Sequence, residues 1–89
     1  MTALELGGRP IVITSAQLLY TQHWRGDEPA QREWEVHGRT RDEELREGVE
    51  PIVITVDGRR LKGRVVMTSS RSHGLSVFQA VGLDELTDA

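Results

Sequence analysis

The clearest pattern in the chain is the alternation of apolar and polar residues between positions 51 and 67, P-I-V-I-T-V-D-G-R-R-L-K-G-R-V-V-M. Asp57-Gly58 favours a tight two-residue turn, whose twist suits paired strands. The turn predicts a hairpin with two unlike faces: an apolar face of Val56, Arg59, Ile54, Leu61, Ile52, Gly63, Val65 and Met67, and a basic face of Thr55, Arg60, Val53, Lys62, Pro51 and Arg64. A slip of one residue would invert both faces, so the register is well specified.

Shorter alternating or β-branched segments predict further strands at residues 9–14, 16–24, 33–37 and 75–81. A helix also fits residues 15–23, because Ala, Gln and Leu favour helices. The even spacing of Ala16, Leu18, Tyr20 and Trp24 favours a strand there instead.

One helix is predicted between the strands. Thr40 and Glu43 have capping-box spacing and Gly48 stands where a helix would stop, which indicates a short helix over residues 41–47. Its single apolar residue is Leu45, so it would lie on the surface. Loops are predicted at residues 26–29 and 68–74, a helical turn at residues 83–86 and a loose tail at residues 87–89.

These elements predict a mainly β fold: one domain, residues 1–89, forming a small antiparallel β-barrel or sandwich of five to seven strands with one short helix. The pentapeptide P-I-V-I-T occurs twice, at Pro10–Thr14 and Pro51–Thr55. This favours two related β-hairpin halves, at about 9–38 and 50–82. The alternative, that any two buried strands look alike, stays open.

The size of the chain favours a partner subunit. A chain of 89 residues buries only ~60–65 % of the surface that its unfolded form exposes, so small domains often depend on disulfides, metals or partners. The chain has no cysteine, which excludes disulfides and thiolate metal sites. Its three histidines, His23, His37 and His73, lack ligand-like spacing. We therefore predict no metal, no cofactor and a homo-oligomer or larger assembly.

Charge is unevenly distributed along the chain. The net charge of −3 argues against a general nucleic-acid binder. Residues 58–83, however, carry five Lys/Arg and no Asp/Glu, whereas residues 1–57 carry six Lys/Arg and eleven Asp/Glu.

Three interpretations of the basic residues stay open. They form an ordinary solvated strand face, or they bind a phosphate-bearing ligand through arginine's planar fork. In the third interpretation they meet the acidic segment of a neighbouring copy. The phosphate site would comprise Arg59, Arg60, Lys62, Arg64 and Arg71; the contact between copies would join Arg60, Lys62 and Arg64 to Glu43, Glu44 and Glu47.

The aromatic residues favour a protein contact over chemistry. Trp24 and Trp34 flank a predicted loop and are candidate interface anchors, with core packing the favoured role for at least one of them. The aromatics are too dispersed for a base-stacking platform. No P-loop, nucleophile elbow or H-E-x-x-H motif is present, so the chain is predicted not to be an enzyme.

Two resemblances bear on function. R-L-K-G-R (Arg60 to Arg64) and the following S-S-R-S-H-G-L-S-V resemble pieces of the PilZ domain, a cyclic-di-GMP receptor. Ser72, however, precedes Gly74 by two residues where that family has three. L-E-L-G-G-R-P-I and V-D-G-R-R-L-K-G-R-V-V resemble small all-β structural proteins of tailed phages and tail-like particles, which function by assembling.

The function predicted is therefore non-enzymatic: a structural or assembly protein acting through protein–protein contacts, with a phosphate-ligand module as the alternative. No apolar run approaches the ~18 residues of a membrane span, and residues 1–8 lack the features of a signal peptide. A cytoplasmic location is expected, or a virion if the phage resemblance holds.

Overall fold

The computed structural model describes residues 3–41 and 45–89, and within them the chain forms one antiparallel sheet of eight strands. The strands are β1 (Ala3–Leu6), β2 (Arg9–Ile11), β3 (Ile13–Arg25), β4 (Glu28–Thr40), β5 (Gly48–Val56), β6 (Arg59–Ser72), β7 (Leu75–Gly82) and β8 (Thr87–Asp88). Their order across the sheet is β2-β1-β5-β6-β7-β4-β3, and β8 pairs with β6. The mainly β, antiparallel prediction is confirmed.

The hairpin β5–β6 has the register that its turn predicts. Ile52 pairs with Gly63, Ile54 with Leu61, and Thr55 with Arg60. Asp57 and Gly58 have φ angles of 50° and 81°, the left-handed values that a two-residue hairpin turn requires at both positions. The separation of an apolar face from a basic face along this hairpin is therefore confirmed.

The core lies on one face of the sheet, which curls around it. Among the described residues, eleven hydrophobic side chains are buried there, from six of the strands: Leu4, Leu6, Ile11, Trp34, Val36, Ile52, Ile54, Val65, Met67, Phe78 and Ala80. Both copies of P-I-V-I-T direct their isoleucines towards this core. The shared pentapeptide thus reflects a shared inner face, and its origin by duplication stays a prediction.

The predicted barrel or sandwich of five to seven strands is wrong in its detail, since the structure has eight strands in one sheet that is not closed into a barrel. The chain passes from edge strand β2 to edge strand β3 through Val12 alone. The Thr40 hydroxyl donates a hydrogen bond to the Val12 carbonyl oxygen. The strand predicted at residues 9–14 is divided at Val12 between β2 and β3, and β8, with two residues, is too short to show a pattern.

The predicted helix over residues 41–47 is not seen. Residues 42–44, including Glu43 and Glu44, lie outside the described residues; residues 41 and 45–47 are irregular, and no helix occurs in the described parts of the chain. Only Leu45 packs against the core here. One apolar side chain gives a short helix too little burial to offset its nucleation cost. The same described segments contain no helix long and apolar enough to cross a membrane.

Two further predictions are corrected. The expected loop at residues 68–74 is mostly strand, because β6 runs to Ser72 and pairs with β7 up to a turn at His73-Gly74. The expected helical turn and loose tail at residues 83–89 instead form a bend followed by β8, which takes the place beside β6 that the shorter β7 leaves open. The Ala89 amide donates to the Arg60 carbonyl oxygen at 2.9 Å.

Candidate functional site

A two-stranded ribbon projects from the sheet. β4 pairs with β7 only from Glu35 to Thr40, so its earlier part, residues 28–34, pairs with β3 alone. Residues 19–33 are all exposed, and we call this segment the ribbon. The molecule extends 46 Å along its longest axis and has a radius of gyration of 13.6 Å. A compact chain of this length would have a radius of gyration of about 12 Å.

One face of the ribbon continues the apolar core outwards. Residues two apart along a strand share a face, so Leu18, Tyr20, Gln22 and Trp24 form a row on the side of β3 that faces the core, in which only Gln22 is polar. Tyr20 is 49 % exposed and Trp24 63 % exposed. The Arg32 guanidinium lies 5.2 Å from the centroid of the Tyr20 ring and packs on it as a cation–π pair. An apolar stripe is thus left open to solvent on an arm that has no other layer behind it.

The opposite face of the ribbon and its base is polar. His23 Nε2 lies 3.3 Å from the Glu33 carboxylate, and His37 Nε2 lies 2.6 Å from that of Glu35. Hydrogen bonds from His37 and from Gln79 hold the pKa of Glu35 below its ordinary value. The two faces therefore differ in character, and the core-side stripe is the one suited to apolar contact.

The outer edge of β3 is the long open edge of the sheet. β3 is the last strand in the sheet order and pairs only with β4 among the described strands. From Ile13 to Trp24 it contains no Asp, Glu, Lys, Arg or Pro. These are the residues with which natural proteins commonly protect an exposed edge from pairing with another strand. The edge therefore has no neighbouring strand among the described residues, and it also lacks the residues that usually block strand pairing.

Of the two predicted anchors, only Trp24 is available at the surface. Trp34 is 2 % exposed, and its indole covers the backbones of Gly63 and Gly82. A β-carbon built on Gly82 would overlap Trp34 Cε2. The indole Nε1 donates to the Asp84 carbonyl oxygen. Trp34 is thus a core residue, as expected of at least one tryptophan, and its role as a surface anchor is excluded by burial.

Three arginines of the hairpin, Arg60 and Arg64 on the basic face and Arg59 beside the turn, pair with acids of the same chain. Arg60 lies 2.8 Å from the Glu5 carboxylate on β1. Arg64 lies 2.7 Å from that of Asp84, and Arg59 lies 2.9 Å from that of Asp88. A phosphate ligand would have to displace these carboxylates. The three acids come from distant positions in the sequence, which is why the strand pattern alone could not show the pairing.

The remaining residues of the predicted sites do not gather around this face. Lys62 lies between Arg60 and Arg64 on the outer side of β6. Arg71 pairs with Ser76 near the far end of the strand, and twelve positions at 3.3 Å each put it roughly 40 Å of strand from Arg59. The Glu47 carboxylate accepts a hydrogen bond from the Ser69 amide at 3.3 Å. A single site holding the five predicted cations therefore does not form.

The Arg64–Asp84 pair predicts a specific acid dependence. The hydrogen bond from Arg64 holds the pKa of Asp84 below its ordinary value of 3.8. A lowered folded-state pKa stabilises the fold above pH 3.8, and this contribution is lost as pH falls through the folded pKa. We expect an NMR titration of the Asp84 carboxyl to have its midpoint below 3.8 and to return towards that value in Arg64→Gln. An unchanged midpoint in Arg64→Gln would contradict the ion pair.

The described residues show no group of three or more His, Asp or Glu side chains that could hold a metal ion. His73 occupies the β6–β7 turn with a left-handed φ of 54°. A cleft of about 220 Å³ lies beside the β1–β2 turn and is lined by Leu6, Gly7, Arg9, Ile11, Leu45, Arg46 and Glu50.

Sequence reasoning found Trp24 but missed the ribbon and the edge of β3 that make it accessible. The signal was present in the segment opposite the outer half of this strand, where Thr21 pairs with Glu33, Gln22 with Arg32 and Trp24 with Pro29. Beyond Trp34, β4 thus offers no large apolar side chain for Trp24 to pack against. No protein-family model, no curated protein and no solved structure matches this chain.

Proposed function

We propose that this chain is a non-enzymatic structural protein that works by assembling with protein partners, as a component of a larger particle such as a virion or tail-like structure. The contact surface is the ribbon, residues 19–33, together with the open edge of β3. The observation that supports this proposal most directly is the exposed stripe of Tyr20 and Trp24 on an arm that projects from the sheet.

The energetics of the ribbon support this proposal. A two-stranded hairpin alone is at best marginally stable in water, yet this one presents its aromatic residues to solvent. Tyr and Trp are the residue types enriched in the energetically dominant parts of protein interfaces. Covering the stripe would bury apolar area and would order the arm. A partner therefore completes a packing layer that the chain itself leaves out.

The alternative, a phosphate-binding module, is less well supported. Arg59, Arg60 and Arg64 each already have a carboxylate partner within 3.0 Å. Exposed ion pairs are weak, so a phosphate is able to compete for one of them. It would gain no site preorganised by several unpaired cations. The assembly proposal explains the aromatic stripe, which a phosphate site leaves unexplained.

The proposal is tested by photo-cross-linking in the cells that produce the protein. A photoreactive phenylalanine analogue at Thr21, on the exposed ribbon, is expected to give a discrete adduct with a protein. The same analogue at Thr68, exposed on β6, is the control and is expected to give little adduct. The mass of the Thr21 adduct shows whether the partner is a second copy or a different chain. Equal adduct yields from Thr21 and Thr68, or none from Thr21, would contradict the ribbon as the contact surface.

A further inference from the structure

We propose that the partner on the open edge of β3 is the β3 strand of a second copy of this chain, paired antiparallel about a two-fold axis. This inference rests on the proposed function and names its partner. The two sheets would join edge to edge into one continuous sheet, with hydrogen bonds between main chains at the contact.

The composition of the edge favours a second copy. An interface about a two-fold axis brings the same surface patch of both copies together, so it must be complementary to itself. Like charges directly opposite each other on neighbouring strands are destabilising. Because β3 carries no formal charge from Ile13 to Trp24, two copies meet there without like-charge repulsion. β4, in contrast, carries Glu28, Arg32, Glu33, Glu35 and Arg39 along its length.

Symmetry restricts the register. Rotation about an axis perpendicular to the sheet keeps each side chain on its own face, so a residue pairs only with residues of the same face. One residue must therefore lie opposite itself. The register that uses Ser15–His23, the part of β3 beyond the irregularity between Ile13 and Ser15, has its centre at Leu19. It sets Leu18 opposite Tyr20 of the second copy on the core-side face, and Leu19 opposite its counterpart on the other face.

This pairing also supports the aromatic stripe. The ribbon gains a neighbouring strand along β3, and cross-strand contacts between aromatic and aliphatic side chains contribute roughly 0.2–1 kcal/mol each. With Leu19 at the axis, residues 20–23 of one copy lie along residues 15–18 of the other, so each ribbon would extend the main sheet of the other copy. Leu18 and Tyr20 of both copies would form one apolar patch at the axis. The ribbon would then no longer be a two-stranded arm, which alone is marginally stable.

The absence of cysteine from the chain allows a clean test by single-cysteine variants. Directly opposite residues of antiparallel strands have Cα atoms about 4.5–5.5 Å apart, within the range that a disulfide bridges. We expect purified Leu19→Cys to form a disulfide-linked dimer under mild oxidation. Gln17→Cys and Thr21→Cys, on the same face, are expected to cross-link at least tenfold less. The control, Thr68→Cys, reports random collision.

Disulfide cross-linking at one of the three positions 17, 19 and 21, well above the Thr68→Cys background, supports pairing of β3 with itself. Cross-linking at background level at all three positions overturns it, whether the protein is monomeric or dimeric. The photo-cross-linking experiment separates the two proposals: if Thr21 captures a different protein in cells while the cysteine variants stay at background, self-pairing fails and the assembly function stands. If both experiments fail, both proposals fail.

Discussion

Replacing Trp34 by alanine is expected to lower the free energy of unfolding by about 3–5 kcal/mol, the usual cost of deleting a large buried aromatic side chain. Trp34 is 2 % exposed and covers Gly63 and Gly82, and its removal leaves the Asp84 carbonyl oxygen without its indole donor. A domain of this size has a total stability of roughly 4–13 kcal/mol. The substitution is therefore expected to unfold much of the protein at 37 °C, which chemical denaturation followed by circular dichroism measures.

Trp24→Ala is the matched control, since it removes the same side chain from the exposed ribbon. We expect its stability to stay within about 0.5 kcal/mol of the parent protein, as at most surface positions, when both are measured in dilute solution. Trp24→Ala is nevertheless expected to weaken assembly. Equal losses of stability in the two variants would contradict the assignment of one tryptophan to the core and the other to the contact surface.

The glycines under the indole provide a second check on Trp34. Gly82→Ala is expected to be destabilising because its new β-carbon overlaps the indole, and such overpacking typically costs about 1–3 kcal/mol. In a Trp34→Leu background the same substitution should cost much less, because the two positions are in contact and their effects are coupled. Additive effects would show that the indole does not lie on Gly82.

Removing residues 83–89 is expected to have the second-largest effect, a loss of about 3–4 kcal/mol. This segment supplies the acceptor for the Trp34 indole, packs Leu86 beside Gly63 and adds β8 to the sheet. An unsatisfied buried donor costs about 1–3 kcal/mol, and loss of a partly buried leucine adds roughly 1–2 kcal/mol. Chemical denaturation of the shortened chain measures the loss. A loss in the free energy of unfolding of less than about 1 kcal/mol, the lower limit for an unsatisfied buried donor, would contradict the docking of residues 83–89.

The same deletion removes Asp84, Glu85 and Asp88, which changes the net charge from −3 to 0. Arg59 and Arg64 lose their carboxylate partners, so the shortened chain is expected to elute from heparin at higher salt. Asp84→Asn combined with Asp88→Asn keeps the backbone and should raise heparin retention with little loss of stability. If neither variant changes retention, Asp84 and Asp88 do not offset the charge of Arg64 and Arg59.

Much of the fold was predictable because the local pattern decides it. In β5–β6 the Asp57-Gly58 turn and the strict alternation act together, so the register followed from the sequence. The strand over Ala16 to Trp24 was predictable for the same reason, since even spacing outweighed the helix-forming residues. Where the turn residues and the apolar–polar alternation of the strands predict the same pairing, a single register satisfies both.

The rest depended on contacts between distant residues. Nothing local in Leu83–Ala89 indicates that the Asp84 carbonyl will accept a hydrogen bond from the Trp34 indole, or that Thr87 will pair with Lys62. The candidate site was half predictable: the basic side chains were placed on the right face, but their partners, among them Glu5, lie far away in sequence. Likewise, the two tryptophans look alike in sequence. What separates them is that β7 ends beside Trp34 and never reaches Trp24.

The central claim is that the open edge of β3 is a contact between copies, and sedimentation equilibrium of the purified chain tests it most directly. The chain has a mass of 10.0 kDa. We predict a species of twice that mass that dissociates on dilution. Leu19→Lys, which sets two like charges opposite each other at the two-fold axis, should return it to 10.0 kDa. A parent chain of 10.0 kDa at every concentration, or a dimer that Leu19→Lys leaves unchanged, would contradict the claim.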